Sequence, residues 1–195
     1  MNTTRVDFIR VWDEFRNGNE KAFSLLYETY FYLLYRYGIK FVTDENIVKD
    51  SIQDLFIKLH NNKNNLSATD NPKFYLLYSL KNLLIDNIAR YKRVTYISPE
   101  ELPFIAVYEY ESMDDSNGID DETKRQFDKV ISLLNPRQEE ALYLRFQLEL
   151  SYEEISELLG INYQSARNLI HRSISKIREN MDITLFITLF IKALQ

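Results

Sequence analysis

The chain has 195 residues, of which 45% are apolar, and a formal net charge of −5. This length and apolar content suit one ordinary domain or two small ones, and they exclude wholesale disorder. There is no cysteine and there are only two histidines, His60 and His171, which excludes disulfide scaffolds, thiolate zinc sites and multi-histidine centres. We therefore expect no metal and no cofactor. The charged N-terminus is unlike a signal peptide and no apolar run is long enough to span a membrane, so we expect a cytoplasmic protein.

The charges are unevenly distributed along the chain. Residues 1–93 carry 14 basic and 11 acidic side chains, and residues 123–195 carry 10 basic and 9 acidic ones. Residues 94–122 carry nine acidic side chains and no Lys or Arg, together with two prolines and a glycine. This composition is typical of a linker, so we predict two lobes joined by an acidic tether. Because the acid is concentrated in the tether, the low overall charge says little against nucleic-acid binding by the lobes.

Helix start signals recur along the chain, and no stretch alternates between polar and apolar residues as a strand would. Asn71-Pro72, Ser98-Pro99 and Asn135-Pro136 each place a capping side chain before a proline at the first helical position. Between such signals the apolar residues recur at the helical period. We predict an all-α fold of two small helical domains, with helices over 44–60 and 72–92.

A helix-turn-helix is predicted over residues 151–172. Ser151 and Glu154 have the spacing of a capping box at the start of an apolar helix. Gly160 supplies the positive φ that ends this helix, and Asn162 can cap the next one. The second helix of such a unit enters the major groove of DNA with its N-terminal residues leading.

Charge separates the two helices of this unit. The first is acidic, whereas the second carries four basic side chains and no acid before Glu179. Arg, Asn and Gln side chains can bond bidentately to base edges, and basic side chains further along suit phosphates. The predicted DNA-binding residues are Gln164, Ser165, Arg167, Asn168, His171, Arg172 and Lys176. The alternative is a helical hairpin whose basic face is only solvated.

Three segments, taken in order, resemble the sigma-70 family of bacterial RNA polymerase sigma factors. Residues 134–146, LNPRQEEALYLRF, followed by the helix-turn-helix, look like sigma region 4, which reads the −35 promoter element. Residues 50–59, DSIQDLFIKL, look like the region 2 segment that docks on the clamp helices of the polymerase β′ subunit. Residues 74–86 look like the following helix, which handles the −10 element. With two regions and a short linker, the chain is similar to the extracytoplasmic-function (ECF) subgroup.

The resemblance implies a domain organisation. Residues 1–93 would form region 2, residues 94–122 an acidic linker directed towards the RNA exit channel, and residues 123–180 region 4. Residues 181–195 would form an apolar C-terminal helix. We expect this helix to pack against region 4, with partner binding or surface membrane contact as alternatives.

Two sets of site residues in the first lobe follow from the resemblance and from helical spacing. A polar, acidic face of the 44–60 helix suits docking on a charged partner; the predicted polymerase-binding residues are Asp50, Gln53, Asp54 and Phe56. Aromatic and basic groups together suit unpaired bases, and the resemblance implies that the polar loop over 60–70 captures a flipped base. The predicted −10 residues are Asn62, Asn64, Asn65, Tyr75, Lys81, Asn82 and Arg90. The choice among the three loop asparagines stays open, and ordinary solvated or core positions are the alternative for both sets.

The resemblance predicts a sigma factor that binds core RNA polymerase and melts the −10 element, without chemistry of its own. Its partners would be the β′ clamp helices, the β flap and promoter DNA, with an anti-sigma factor left open and no small-molecule substrate. The alternative is a helix-turn-helix regulator in which residues 1–93 form a sensor or dimerisation domain. An enzyme built as a carboxylate-metal bundle would need a Glu three residues before a His, and neither histidine has one.

Overall fold

A computed structural model describes residues 7–91, 104–105 and 120–194. These residues form nine α-helices and, within the same ranges, no strand, so the predicted all-α fold is confirmed for them. The chain divides into two compact units, Met1–Ser98 and Pro99–Gln195. Most of the predicted linker over 94–122, with the helix start at Ser98-Pro99, lies outside the described residues.

The first unit contains four α-helices: α1 Phe8–Arg16, α2 Glu20–Gly38, α3 Glu45–Asn62 and α4 Pro72–Tyr91. Asp7, Asn19 and Asp44 cap the first three, because their side chains accept backbone N–H groups of the opening turn. The helices predicted over 44–60 and 72–92 are thus present with shifts of one or two residues. The loop predicted over 60–70 starts only after Asn62, because α3 continues to that residue, and its first residues, Lys63–Asn65, form a 3₁₀ turn.

The core of the first unit lies where α2, α3 and α4 meet. Leu34, Ile52 and Leu76 are fully buried there, and burying an aliphatic side chain of this size is worth about 1.5–3 kcal/mol. Gly38 brings α2 close to α3, because a Cβ at this position would lie 2.5 Å from Val48 Cγ1. The packing of these three helices fixes which faces of α3 and α4 reach solvent.

The second unit contains five α-helices: α5 Asp121–Ser132, α6 Pro136–Leu142, α7 Tyr152–Leu158, α8 Tyr163–Arg178 and α9 Ile183–Ala193. Asn135 and Gln138 form a capping box at the start of α6, as the Asn-Pro signal predicts. A π-helical turn over Tyr143–Gln147 follows α6 directly. This turn was not predicted, since its apolar residues fit an ordinary helical period.

The apolar C-terminal segment packs within the second unit. Phe186 and Phe190 of α9 are buried, and the ring centroids of Phe186 and Phe127 of α5 are 5.2 Å apart. The contact that we expected for this segment is therefore present. Among the described residues, no helix has both the length and the apolar content to cross a membrane.

Candidate nucleic-acid interface

The first helix of the helix-turn-helix starts and ends at the predicted residues. The Ser151 N–H donates to Glu154 Oε2 at 2.8 Å, and the Glu154 N–H donates to Ser151 Oγ at 3.2 Å. Gly160 has a φ of +64°, and the N–H groups of Gly160 and Ile161 donate to carbonyls in the last turn of α7 at 3.1 and 2.9 Å. This pair of bonds is a Schellman motif, which needs a residue that tolerates positive φ.

Two arginines from the preceding segment hold both ends of α7. Arg137 Nη2 donates to the Leu159 carbonyl at 2.9 Å, beside the turn. Arg145 Nη1 donates to the Leu150 carbonyl at 2.8 Å, and its guanidinium lies 5.1 Å from the centre of the Tyr152 ring. The orientation of the helix-turn-helix therefore depends on α6 and the π-helical turn as well as on its own sequence.

The second helix, α8, presents one continuous polar face to solvent. The Asn162 side chain accepts the Ser165 N–H at 2.8 Å, which caps the helix. Six of the seven residues predicted to bind DNA are exposed: Gln164, Ser165, Arg167, Asn168, His171 and Arg172. The opposite face is buried through Ala166, Ile170, Ser173 and Ile177. The capped N-terminus and the exposed residues of its first two turns form a surface suited to a groove of DNA.

Lys176 differs from the other six. It is half-buried, and its Nζ donates to the Leu133 carbonyl and to Gln138 Oε1, each at 3.1 Å. The ammonium is thus bonded inside the unit, which departs from the DNA-binding role predicted for it. Helical spacing alone assigns Lys176 to the basic face of α8, because spacing does not show that α6 lies within reach of its ammonium.

Tyr163, which is not among the predicted DNA-binding residues, lies at the exposed start of α8. It is the first residue of α8 and is 43% exposed, with its ring 6.2 Å from the ring of Tyr152. Its position directly after the capping Asn162 could have indicated this placement, because the N-terminal residues of a recognition helix enter the groove first.

In the first unit, the acidic face of α3 is exposed as predicted. Asp50, Gln53 and Asp54 reach solvent and line a shallow groove of about 550 Å³ between α3 and α4. Arg90 of α4 lines the same groove. The structure therefore brings together residues that were predicted for two tasks, polymerase binding and the −10 element.

Phe56 does not belong to this exposed face. It is 3% exposed, and its ring lies 4.9 Å from the ring of Tyr27 and 6.0 Å from that of Phe23. The prediction of a direct polymerase contact is corrected, because Phe56 forms the floor of an apolar groove of about 390 Å³ between α2 and α3. Ile57, 49% exposed, reaches the surface in its place, and sequence spacing did not single it out.

The residues predicted for the −10 element divide into exposed and enclosed groups. Asn62, Asn64 and Asn65 are exposed at the end of α3 and in the 3₁₀ turn, and Asn82 and Arg90 are exposed on α4.

Two members of this set are enclosed. Tyr75 is half-buried with its ring 5.0 Å from that of Trp12. Lys81 is 3% exposed, and its Nζ lies 5.3 Å from the centre of the Phe41 ring. The prediction that Lys81 faces DNA is therefore corrected. Helical spacing places a cation at this position of α4, but neighbouring helices pack against that side of α4 and cover it.

Comparisons with known proteins agree with this geometry. The family model "Sigma-70, region 4" matches residues 124–177, which include α6, α7 and most of α8. The ECF RNA polymerase sigma factor SigX of Bacillus subtilis (strain 168) is 22% identical over 166 residues, covering 84% of this chain and 86% of SigX. The RNA polymerase sigma factor SigZ of the same organism is 28% identical over 141 residues, covering 72% of this chain and 76% of SigZ.

A third relative has a different kind of name. Bacteriocin UviA of Clostridium perfringens is 22% identical over 179 residues, covering 85% of this chain and 94% of UviA. Its alignment, like that with SigX, extends over both units of the chain.

Region 4, the exposed face of α8 and these relatives lead to one family, whose members are non-enzymatic regulators of transcription. The region 4 match and the sigma factors similar to this chain over both units support an ECF-type member of the sigma-70 family, a sigma factor that directs promoter recognition in transcription initiation.

Proposed function

We propose that this sigma factor docks on core polymerase through α3, reads the −35 element with α8 and reads the −10 element with the segment after α3. The observation that carries the proposal is the exposed polar face of α8 behind a capped, glycine-terminated turn. It would work in the cytoplasm, where polymerase is found, and have no catalytic site. The proposed bounds are 1–93 for region 2, 94–122 for the linker, 123–180 for region 4 and 181–195 for the C-terminal helix.

The −35 contact is assigned to the first two turns of α8. Arg167 and Asn168 are exposed and neighbour each other, and Gln164 Nε2 donates to Asn168 Oδ1 at 3.0 Å. Planar amide and guanidinium groups in this position can bond to the base edges of the major groove. Arg178, exposed in the last turn, suits a phosphate contact that fixes register without reading sequence.

Docking on the β′ clamp helices is assigned to the groove beside Asp50 and Asp54. Two carboxylates next to the exposed apolar side chain of Ile57 suit a partner helix that carries basic and apolar residues. The β flap is the expected partner of the second unit. An anti-sigma factor that competes for these surfaces is compatible with the same chemistry.

The −10 contact is assigned to three exposed asparagines, Asn62 at the end of α3 and Asn64 and Asn65 just after it. Asn62 also lines a pocket of about 250 Å³ with Tyr75 and Leu66. An aromatic ring beside amide groups suits an unpaired base, which stacks on the ring and bonds through its edge.

A binding titration tests the proposal. The full chain, labelled, is titrated against bacterial core RNA polymerase stripped of its sigma factors. We expect saturable binding at nanomolar concentration and a loss of about tenfold or more in Asp54→Lys, because like charges then face each other at the interface. Glu28→Lys makes the same charge change at an exposed position of α2 and serves as the matched control.

The alternative function predicts the opposite pattern. A dimeric helix-turn-helix regulator binds a palindromic DNA site without polymerase, since its two-fold symmetry matches the site. Tight binding to such DNA, with no binding to core polymerase, would overturn the proposal.

A further inference from the structure

Three side chains of the first unit form what we call the N-terminal row: Trp12 and Arg16 of α1 and Glu20 at the start of α2. They follow one another at intervals of four residues. All three bond to the segment after α3, residues 63–70, which holds Asn64 and Asn65, two of the three asparagines assigned to the −10 element. Their partners run in the opposite order along the chain, from Ser67 back to Lys63.

The first two bonds fix the backbone of that segment. Trp12 Nε1 donates to the Ser67 carbonyl at 3.1 Å, and Arg16 Nε donates to the Leu66 carbonyl at 2.7 Å. Trp12 is fully buried, and Arg16 is oriented by a second bond from its Nη1 to Asp13 Oδ1 at 2.9 Å. Both donors therefore have restricted positions before the segment bonds to them.

The third member of the row fixes the start of the segment. Glu20 Oε1 accepts from Lys63 Nζ at 2.9 Å, and Glu20 Oε2 lies 3.2 Å from His60 Nε2. These bonds, that from Lys63 first, lower the pKa of the Glu20 carboxyl.

The segment has few bonds of its own. After the 3₁₀ turn, the Leu66 N–H donates to the Lys63 carbonyl at 3.4 Å, and the next backbone donor along the segment is the Asn71 N–H, which donates to Thr69 Oγ1 at 3.1 Å. Fixing a residue in one backbone conformation costs about 1–2 kcal/mol, so an irregular segment needs outside contacts to hold one shape. The N-terminal row supplies those contacts on both sides of Asn64 and Asn65.

We propose that Trp12, Arg16 and Glu20 are positioning residues for base selection at the −10 element. They touch no DNA themselves. By fixing the carbonyls of Leu66 and Ser67 and the side chain of Lys63, they hold the intervening asparagines in the arrangement that distinguishes one base from another. This inference rests on the proposed function, because it takes the segment to be the reader of the −10 element.

We expect loss of the row to reduce selectivity between bases before it reduces DNA binding, and the reason is geometric. Hydrogen bonds to a base edge discriminate only when donor and acceptor are held close to their ideal positions. A segment released from the row can still approach the DNA, since its polar side chains remain, but it no longer presents one fixed pattern of donors and acceptors. The released segment is therefore expected to bind several bases weakly and no single base strongly.

The test uses Arg16→Met, which keeps a long unbranched side chain and removes the donor. Arg10→Met is the matched control: it makes the same change on the same helix, and Arg10, 77% exposed, pairs with Glu14. Arg16→Lys restores a donor and should rescue selectivity in part. Emission from Trp12, the sole tryptophan, verifies that each variant keeps its core.

Each variant is combined with core polymerase, and open-complex formation is measured on a set of promoters carrying every single base change in the −10 element. For the unmodified chain we expect one position at which the favoured base is opened far more readily than the others. In Arg16→Met the ratio between favoured and disfavoured bases should fall about tenfold, as for loss of one charge-assisted bond. Arg10→Met should keep the ratio.

Hydrogen exchange of the same variants provides a readout at the segment itself. Amides of residues 63–70 should exchange faster in Arg16→Met than in Arg10→Met, while core-polymerase affinity stays equal in both. Equal loss of opening for every base, or a ratio that matches Arg10→Met, would overturn the positioning role. If the unmodified chain itself shows no base preference, the proposed function fails, and this outcome is distinguishable because it appears before any variant is made.

Discussion

The helices α8 and α4 were both predicted to present cations and polar groups to DNA, and they differ in how much of that surface reaches solvent. On α8, six of seven predicted residues are exposed. On α4, Asn82 and Arg90 are exposed, whereas Tyr75 is half-buried and Lys81 is buried.

The difference follows from where each helix lies in its unit. α8 packs along one side, through Ala166, Ile170 and Ile177, so its polar stripe is its solvent face. On α4, ten of the twenty residues are buried, against four of the sixteen on α8. Helical periodicity therefore predicts the exposed face of a helix at the edge of a unit and misassigns faces of a central one.

The largest expected effect tests the central helix. Lys81→Ala should lower the free energy of unfolding of the first unit by about 2–4 kcal/mol, because the packing of the stem and the contact with Phe41 are lost. Urea unfolding followed by Trp12 emission measures this change. Asn82→Ala, at the exposed neighbouring position, should change stability by no more than about 0.5 kcal/mol. If Lys81→Ala keeps its stability but opens promoters less well, Lys81 contacts DNA and the correction of its role is wrong.

The next effect tests the edge helix. Arg167→Ala should cost about 1–3 kcal/mol of binding to the cognate −35 element without changing stability, because an exposed base contact is removed. Promoter binding by holoenzyme is measured on cognate and scrambled −35 elements at several salt concentrations. Arg178→Ala is the control, with equal loss on both elements and a shallower salt dependence. Equal loss for Arg167→Ala on both elements would make Arg167 a phosphate contact.

The smallest expected effect comes from changing Gly160, in the turn that sets the direction of α8. Gly160→Ala should destabilise the second unit by about 1 kcal/mol, because the φ of +64° strains any residue with a Cβ although the space around it is open. Gly160→Asn should cost less, since Asn tolerates this conformation. Urea unfolding followed by far-ultraviolet circular dichroism measures both. Equal destabilisation by the two would show that steric contact, and not φ, decides the cost.

In the candidate site, local signals in the sequence predict some features, and contacts between distant helices decide the others. The helix-turn-helix was predicted to the residue because Ser151, Gly160 and Asn162 act on backbone groups within a few positions of themselves. The burial of Phe56 and Lys81 and the internal bonds of Lys176 were not predicted, because each depends on a helix distant in sequence. The π-helical turn was missed for a related reason: its residues have ordinary helical propensity.

The sequence by itself determined the all-α class, the starts of α4, α6, α7 and α8 and the resemblance to sigma regions 2 and 4, since these depend on local hydrogen bonds and on periodicity. The tertiary structure alone decided which cations reach solvent and which side chains hold the segment after α3. Trp12 and Ser67 are 55 positions apart, and their bond exists only because packing of the first unit brings α1 against that segment. No local pattern encodes such a contact, since the free energy that maintains it comes from the burial of the whole core.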